Sequence, residues 1–95
     1  MNERNSTELS LIDCSIKSLK DVPLKLNLQT INLHANKIIK IENLTYLQNL
    51  LHLDLSSNQI NSLNGLEGLV SLQTLNLSCN RIEVIDGLHG LRFVI

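Results

Sequence analysis

The sequence predicts an α/β solenoid with a short parallel β-sheet on its concave face, 3₁₀ or extended return segments on its convex face, and about four repeats. Three observations carry this. The chain is self-similar at a period of 22 residues without gaps; each copy contains an apolar-x-apolar stretch; and aromatic residues make up 2% against 43% hydrophobic ones. A core built almost wholly from Leu and Ile, in units too small to bury their own apolar stripe, requires stacking of neighbouring units.

Each element follows from the aligned copies. They begin at Ser6 (STELSLIDCSIKSLKDVPLKLN), Leu28 (LQTINLHANKIIKIENLTYLQN), Leu50 (LLHLDLSSNQINSLNGLEGLVS) and Leu72 (LQTLNLSCNRIEVIDGLHGLRF). The shared pattern LxxLxLxxNxIxxIxxLxxLxx is carried in the second copy by Leu28, Ile31, Leu33, Asn36, Ile38, Ile41, Leu44 and Leu47. The LxL element places two side chains on one face of a short strand and the intervening one on the other. After the strand the chain must turn, and an Asn at the ninth position can satisfy backbone groups that leave the sheet there. Asn36, Asn58 and Asn80 are therefore expected to stack as a buried ladder. Apolar residues then recur at intervals of three, as in Leu63, Leu66 and Leu69, which suits 3₁₀ turns or extended chain on the way to the next strand. Truncating Leu53, Leu55 or Leu75 to Ala should cost roughly 2 to 5 kcal/mol.

This gives one domain over 1–95: an N-terminal cap and degenerate first repeat over 1–27, repeats over 28–49, 50–71 and 72–93, and the start of a fifth over 94–95. The first repeat has Ser6 for the opening Leu, Cys14 for the ladder Asn and Lys25 for the last Leu, and Pro23 interrupts its return. Cys14 is expected to be a small buried group in the ladder. With Val94 opening a fifth repeat, the flank holding Leu72, Leu75, Leu77, Ile82 and Ile85 should be partly bare, and self-association through that C-terminal edge is expected. The same feature suggests a fragment, a truncated isoform or a partial gene model of a longer protein.

A net charge of −1 with basic and acidic residues interspersed gives no electrostatic reason to expect nucleic acid or an anionic membrane as partner. The polar start MNERNSTELS lacks the apolar segment of a secretory signal, and no stretch approaches the roughly 18 apolar residues of a membrane span. A cytoplasmic chain is expected, with the nucleus as alternative. Cys14 and Cys79 fit no zinc or redox spacing and should be free thiols, Cys79 half exposed. The sequons at Asn5, Asn43 and Asn76 read as chance matches, and Gly65, Gly68, Gly87 and Gly90 as turn formers.

The pattern is that of the leucine-rich repeat. Its 22-residue form, with Asn at position nine, Ile at eleven and a Leu-x-x-Leu return, resembles the subclass typified by the nuclear phosphatase-1 regulatory subunit. Within it, INLHANKI, LHLDLSSNQI and LNLSCNRI resemble the leucine-rich head of the centrosomal leucine-rich repeat and coiled-coil family. That resemblance implies a head preceding a long coiled coil, and a role at centrosomes, spindle poles or the base of cilia. The chain itself contains no coiled coil.

Stacking the repeats predicts columns on the concave sheet: Glu8, Thr30, His52 and Thr74; Ser10, Asn32, Asp54 and Asn76; Ile12, His34, Ser56 and Ser78. Candidate protein contacts are thus Thr30, Asn32, His34, Leu51, His52, Asp54, Ser56, Thr74, Asn76 and Ser78, with Leu51 as the one large apolar anchor. In LLHLDLSSNQI, alternation puts His52, Asp54 and Ser56 on one face, which resembles a hydrolytic triad. Same-face positions lie about 6.5 to 7 Å apart, however, and Ser56 lies beyond Asp54 rather than beside His52. No catalytic residue and no cofactor is assigned. A metal site at His34, His52 and Asp54 is disfavoured because His34 is offset from the other two. The expected function is a non-enzymatic protein-protein interaction module, a piece of a centrosomal or ciliary scaffold. The alternatives are a phosphatase regulatory subunit and a truncated product without a role of its own.

Overall fold

A computed structural model describes residues 6–83 and the backbone of 93 and 94. Its frame is a parallel sheet of five strands in sequence order: β1 (Glu8–Ser10), β2 (Thr30–Asn32), β3 (His52–Asp54), β4 (Thr74–Asn76) and β5 (Phe93–Val94). From β1 to β4 the register equals the sequence period, so Leu9, Ile31, Leu53 and Leu75 are paired neighbours, as are Glu8, Thr30, His52 and Thr74. Parallel pairing continues past the strands: the Leu33 amide donates to the Asp54 carbonyl at 2.8 Å, and the Leu55 amide to Asn76 at 2.9 Å.

The apolar pattern closes behind this sheet. Leu28, Ile31, Leu33, Ile38, Ile41, Leu44 and Leu47 are all buried, with their counterparts from Leu50 to Leu69. Between them the return is a series of turns closed by amide-to-carbonyl bonds three residues apart. Leu47 donates to Leu44 and Leu50 to Leu47, and the same pair recurs at Leu69 and Leu72. Three-residue turns explain the Leu-x-x-Leu spacing, since they bring every third side chain to the same side. Among the described residues one full 3₁₀ helix, Leu19–Asp21, is capped by the Ser18 side chain, which accepts from the Lys20 amide. The described residues contain no α-helix, so the class expected as α/β is, over that span, β-strands joined by 3₁₀ and extended segments.

Two expectations about the ends are corrected. Cys14 is exposed, not a buried ladder member. The cause lies in the direction of the ladder. Asn58 Oδ1 accepts from the Ile38 amide, and its Nδ2 donates to both the Leu33 and Leu55 carbonyls. Asn80 repeats this with Ile60, Leu55 and Leu77, and Asn36 with Ile16, Leu11 and Leu33. Each Asn therefore serves its own repeat and the preceding one. Among the described residues nothing precedes the first repeat, so Cys14 has no backward ladder bonds to make, and its Sγ keeps only the own-repeat contact with the Ile12 carbonyl at 3.4 Å. It instead presents its amide to Asn36 Oδ1 at 3.0 Å.

At the other end, Leu72, Leu75 and Leu77 are buried and not bare, with β5 paired to β4, while Ile82 is half-buried. The pairing sets Thr74 opposite Phe93 and Leu75 opposite Val94, three residues short of the 22-residue step that makes Val94 the first residue of a fifth repeat. Ile85, Leu88, Leu91 and Val94 are apolar at every third position, so a slip of three conserves the pattern that alignment relied on. Ile85, Gly87 and Gly90 lie outside the described residues.

Candidate functional site

Across β2, β3 and β4 lies a shallow depression of about 410 Å³, lined by Thr30, Asn32, His52, Asp54, Thr74 and Asn76 together with the strand residues Ile31, Leu53 and Leu75. Six candidate contacts are thus brought together by the in-register pairing of three strands. His52 is exposed and its Nδ1 is 2.7 Å from Thr74 Oγ1, a bond that ties β3 to β4 across the face.

The fifth-position column does more than line the surface. Asn32 Oδ1 accepts from the His34 amide at 3.0 Å, Asp54 Oδ1 from the Ser56 amide at 2.9 Å, and Asn76 Oδ1 from the Ser78 amide at 3.0 Å. A short side chain that accepts from the amide two residues on fixes the bend after each strand. The hydroxyls of Ser56 and Ser78 add a second bond to the same oxygens, at 2.6 and 2.8 Å. Such capping leaves a sequence signal, Asn or Asp at position five followed by Ser or His at seven, which the reading of this column as displayed surface passed over.

Ser56 departs furthest from expectation, being buried with 4% of its surface exposed. It sits between Asp54 and His34, whose Nδ1 is 2.7 Å from its Oγ. Because Ser56 gives its proton to Asp54, His34 Nδ1 acts as the donor in that contact. A nucleophilic serine needs the reverse, an imidazole that accepts the hydroxyl proton and a carboxylate behind the imidazole. This serine is pinned from both sides, and the arrangement stabilises a turn. The neighbour that matters comes from the adjacent repeat, 22 residues earlier, and not from His52 on the same strand.

Leu51 is half-buried and stands outside the lining of the depression, and His34 and Ser78 are half-buried beyond the strand ends. The ladder residues Asn36 and Asn58 are buried, and Asn80 is partly so. Cys79 is exposed, with its backbone in the left-handed region at φ 59°. Among the described residues no three His, Cys, Asp or Glu side chains gather into a set that could hold a metal ion. No described helix is long and apolar enough to cross a membrane.

Comparison with known proteins agrees with the repeat geometry. A family model described as leucine rich repeat matches residues 27–82. A stretch of 40 residues is 55% identical to the leucine-rich repeat and coiled-coil domain-containing protein 1 of Xenopus laevis. That match covers 42% of this chain and 4% of the relative, so the chain corresponds to a small part of the relative's length.

Proposed function

Because the chain belongs to the leucine-rich repeat family, we propose that it is a non-enzymatic interaction module whose strands and returns form successive coils of a solenoid, and whose concave face holds a segment of another protein. The observation that carries this is the depression across β2, β3 and β4. It is open, is lined by residues from three adjacent strands, and sets polar groups at the fixed spacing of an in-register parallel pairing. Such a surface reads an extended segment by polar complementarity and modest apolar contact. It offers no enclosed pocket for a small substrate.

The protein to which this module belongs works, in this reading, in a centrosomal or ciliary assembly. Support comes from the resemblance of INLHANKI, LHLDLSSNQI and LNLSCNRI to that family's leucine-rich head, and from the 55% identity over 40 residues. The compartment is then cytoplasmic, at the centrosome or the base of a cilium. A phosphatase-regulator reading has less support, since no aromatic side chain lines the depression.

Photo-crosslinking tests the proposal. A photoreactive residue at Thr30 or Thr74, on the concave face, should give discrete protein adducts in a cell extract, whereas one at Lys40, on the return side, should not. Adducts rich in centrosomal proteins support the compartment; a phosphatase catalytic subunit would replace it. Equal labelling from Lys40 would sink the concave face as the binding surface.

A further inference from the structure

Taking the concave face as protein-binding, as proposed above, we infer that the segment it holds is basic and seats a lysine ammonium on Asp54. The strand columns hold few charges, and those among the described residues are acidic. The concave columns of β1 to β4 carry Glu8 and Asp54 and no cation, while the described cations Lys17, Lys20, Lys25, Lys37, Lys40 and Arg81 all lie on turns and return segments. Asp54 is the one formally charged residue lining the depression. Among the described residues the single ion pair is Lys20 with Glu42, on the return side, so none of the described cations pairs with Asp54.

The hydrogen bonds say which atom is available. Asp54 Oδ1 accepts from both the amide and the hydroxyl of Ser56, which fills its two lone pairs. Oδ2 has no hydrogen-bond partner among the described residues. A guanidinium reaches its full strength by gripping both carboxylate oxygens at once, and here one is saturated. A compact ammonium needs only the free oxygen, so lysine fits where arginine loses its advantage.

The flanking residues sharpen the partner further. Asn32 and Asn76 have their Oδ1 atoms committed to the His34 and Ser78 amides, leaving the Nδ2 donors without an intramolecular partner among the described residues. Across the strands, at about 4.8 Å intervals, the column therefore reads donor, acceptor, donor. An extended segment running across the strands, with its lysine between two backbone carbonyls, complements all three.

The test is selection of a displayed random-peptide library on the whole chain and on its Asp54→Asn variant. That substitution keeps the Oδ1 cap and places Asn on β2, β3 and β4 alike at this position, matching its two neighbours Asn32 and Asn76. Peptides selected on the native chain should be enriched in lysine, and changing that lysine to glutamine should weaken binding about tenfold on the native chain and little on Asp54→Asn. Selection without lysine enrichment, enrichment of arginine in its place, or an equal loss on both proteins would overturn the lysine assignment while leaving the protein-binding reading intact. Failure of the native chain to select any peptide would remove both. The lysine-to-glutamine comparison on the native chain needs no protein variant, so it stands even if Asp54→Asn folds poorly.

Discussion

The amide of Ile38 donates to the side chain of Asn58, 20 residues further on, at 3.0 Å. The same Asn58 carboxamide holds the Leu33 and Leu55 carbonyls at 3.0 Å each, so one buried side chain joins two repeats. Replacing it strands several buried backbone groups at once, and each unsatisfied group costs about 1 to 3 kcal/mol. Asn58→Ala is expected to lower stability by about 3 kcal/mol or more in urea denaturation, and Asn80→Ala, partly exposed, by less. Cys14→Asn should change stability little, because no described repeat precedes that of Cys14, so the backward half of the ladder bonds has no partner there and only the own-repeat half can form.

Gly65 lies at φ 108°, and a methyl built on it would overlap the Ile41 carbonyl oxygen of the preceding repeat. Both the backbone conformation and the packing exclude a side chain there. Gly68 shares a positive φ of 85°, but its nearest neighbour to an added methyl is the Thr45 Cβ at 4.0 Å. Gly65→Ala should therefore cost at least about 3 kcal/mol and Gly68→Ala about 1 kcal/mol, read as the difference between their thermal melting curves. Equal costs would mean that strain alone, and not the contact with Ile41, decides both positions.

Alternation and period made the strands, the core and the ladder legible: Ile31, Leu33, Leu53 and Leu55 are buried where the LxL pattern put them. What a repeat alignment cannot supply is direction and depth. It places Asn36 and Cys14 in one column without saying that the ladder reaches backwards, and so predicts for Cys14 a burial that the structure does not show. It ranks Ser56 with the surface because parity does so, although Ser56 is buried and bonded to His34 of the preceding repeat. The offset at β5 was invisible for a related reason: an apolar residue at every third position is compatible with two registers.

Position eight is the least legible of all, because Asp13, Ala35, Ser57 and Cys79 share no chemistry yet all sit in the left-handed region, at φ 55–60°. That conformation costs an L-residue about 1 kcal/mol or more, and Asn or Gly bears it best. Ala35→Asn is expected to raise stability by about 0.5 to 1 kcal/mol, and Ala35→Val to lower it by about 1 to 2 kcal/mol because a branched Cβ is worst there. Chemical denaturation of both variants beside the native chain decides the matter; a neutral Val variant would show that the bend can relax.

Asp54 has two separable duties, capping the bend through Oδ1 and offering charge through Oδ2. Asp54→Asn retains the acceptor that the Ser56 amide and hydroxyl use, as Asn76 does for Ser78. Asp54→Ala removes it and leaves the buried Ser56 hydroxyl facing only His34. The alanine variant should be less stable than the asparagine variant by about 1 to 2 kcal/mol in urea denaturation. It follows that alanine substitution on this face is a poor probe of binding, since lost affinity would be mixed with a loosened bend. If the two variants unfold at the same urea concentration, the Ser56 bonds carry no net stability and the fifth column reverts to display alone.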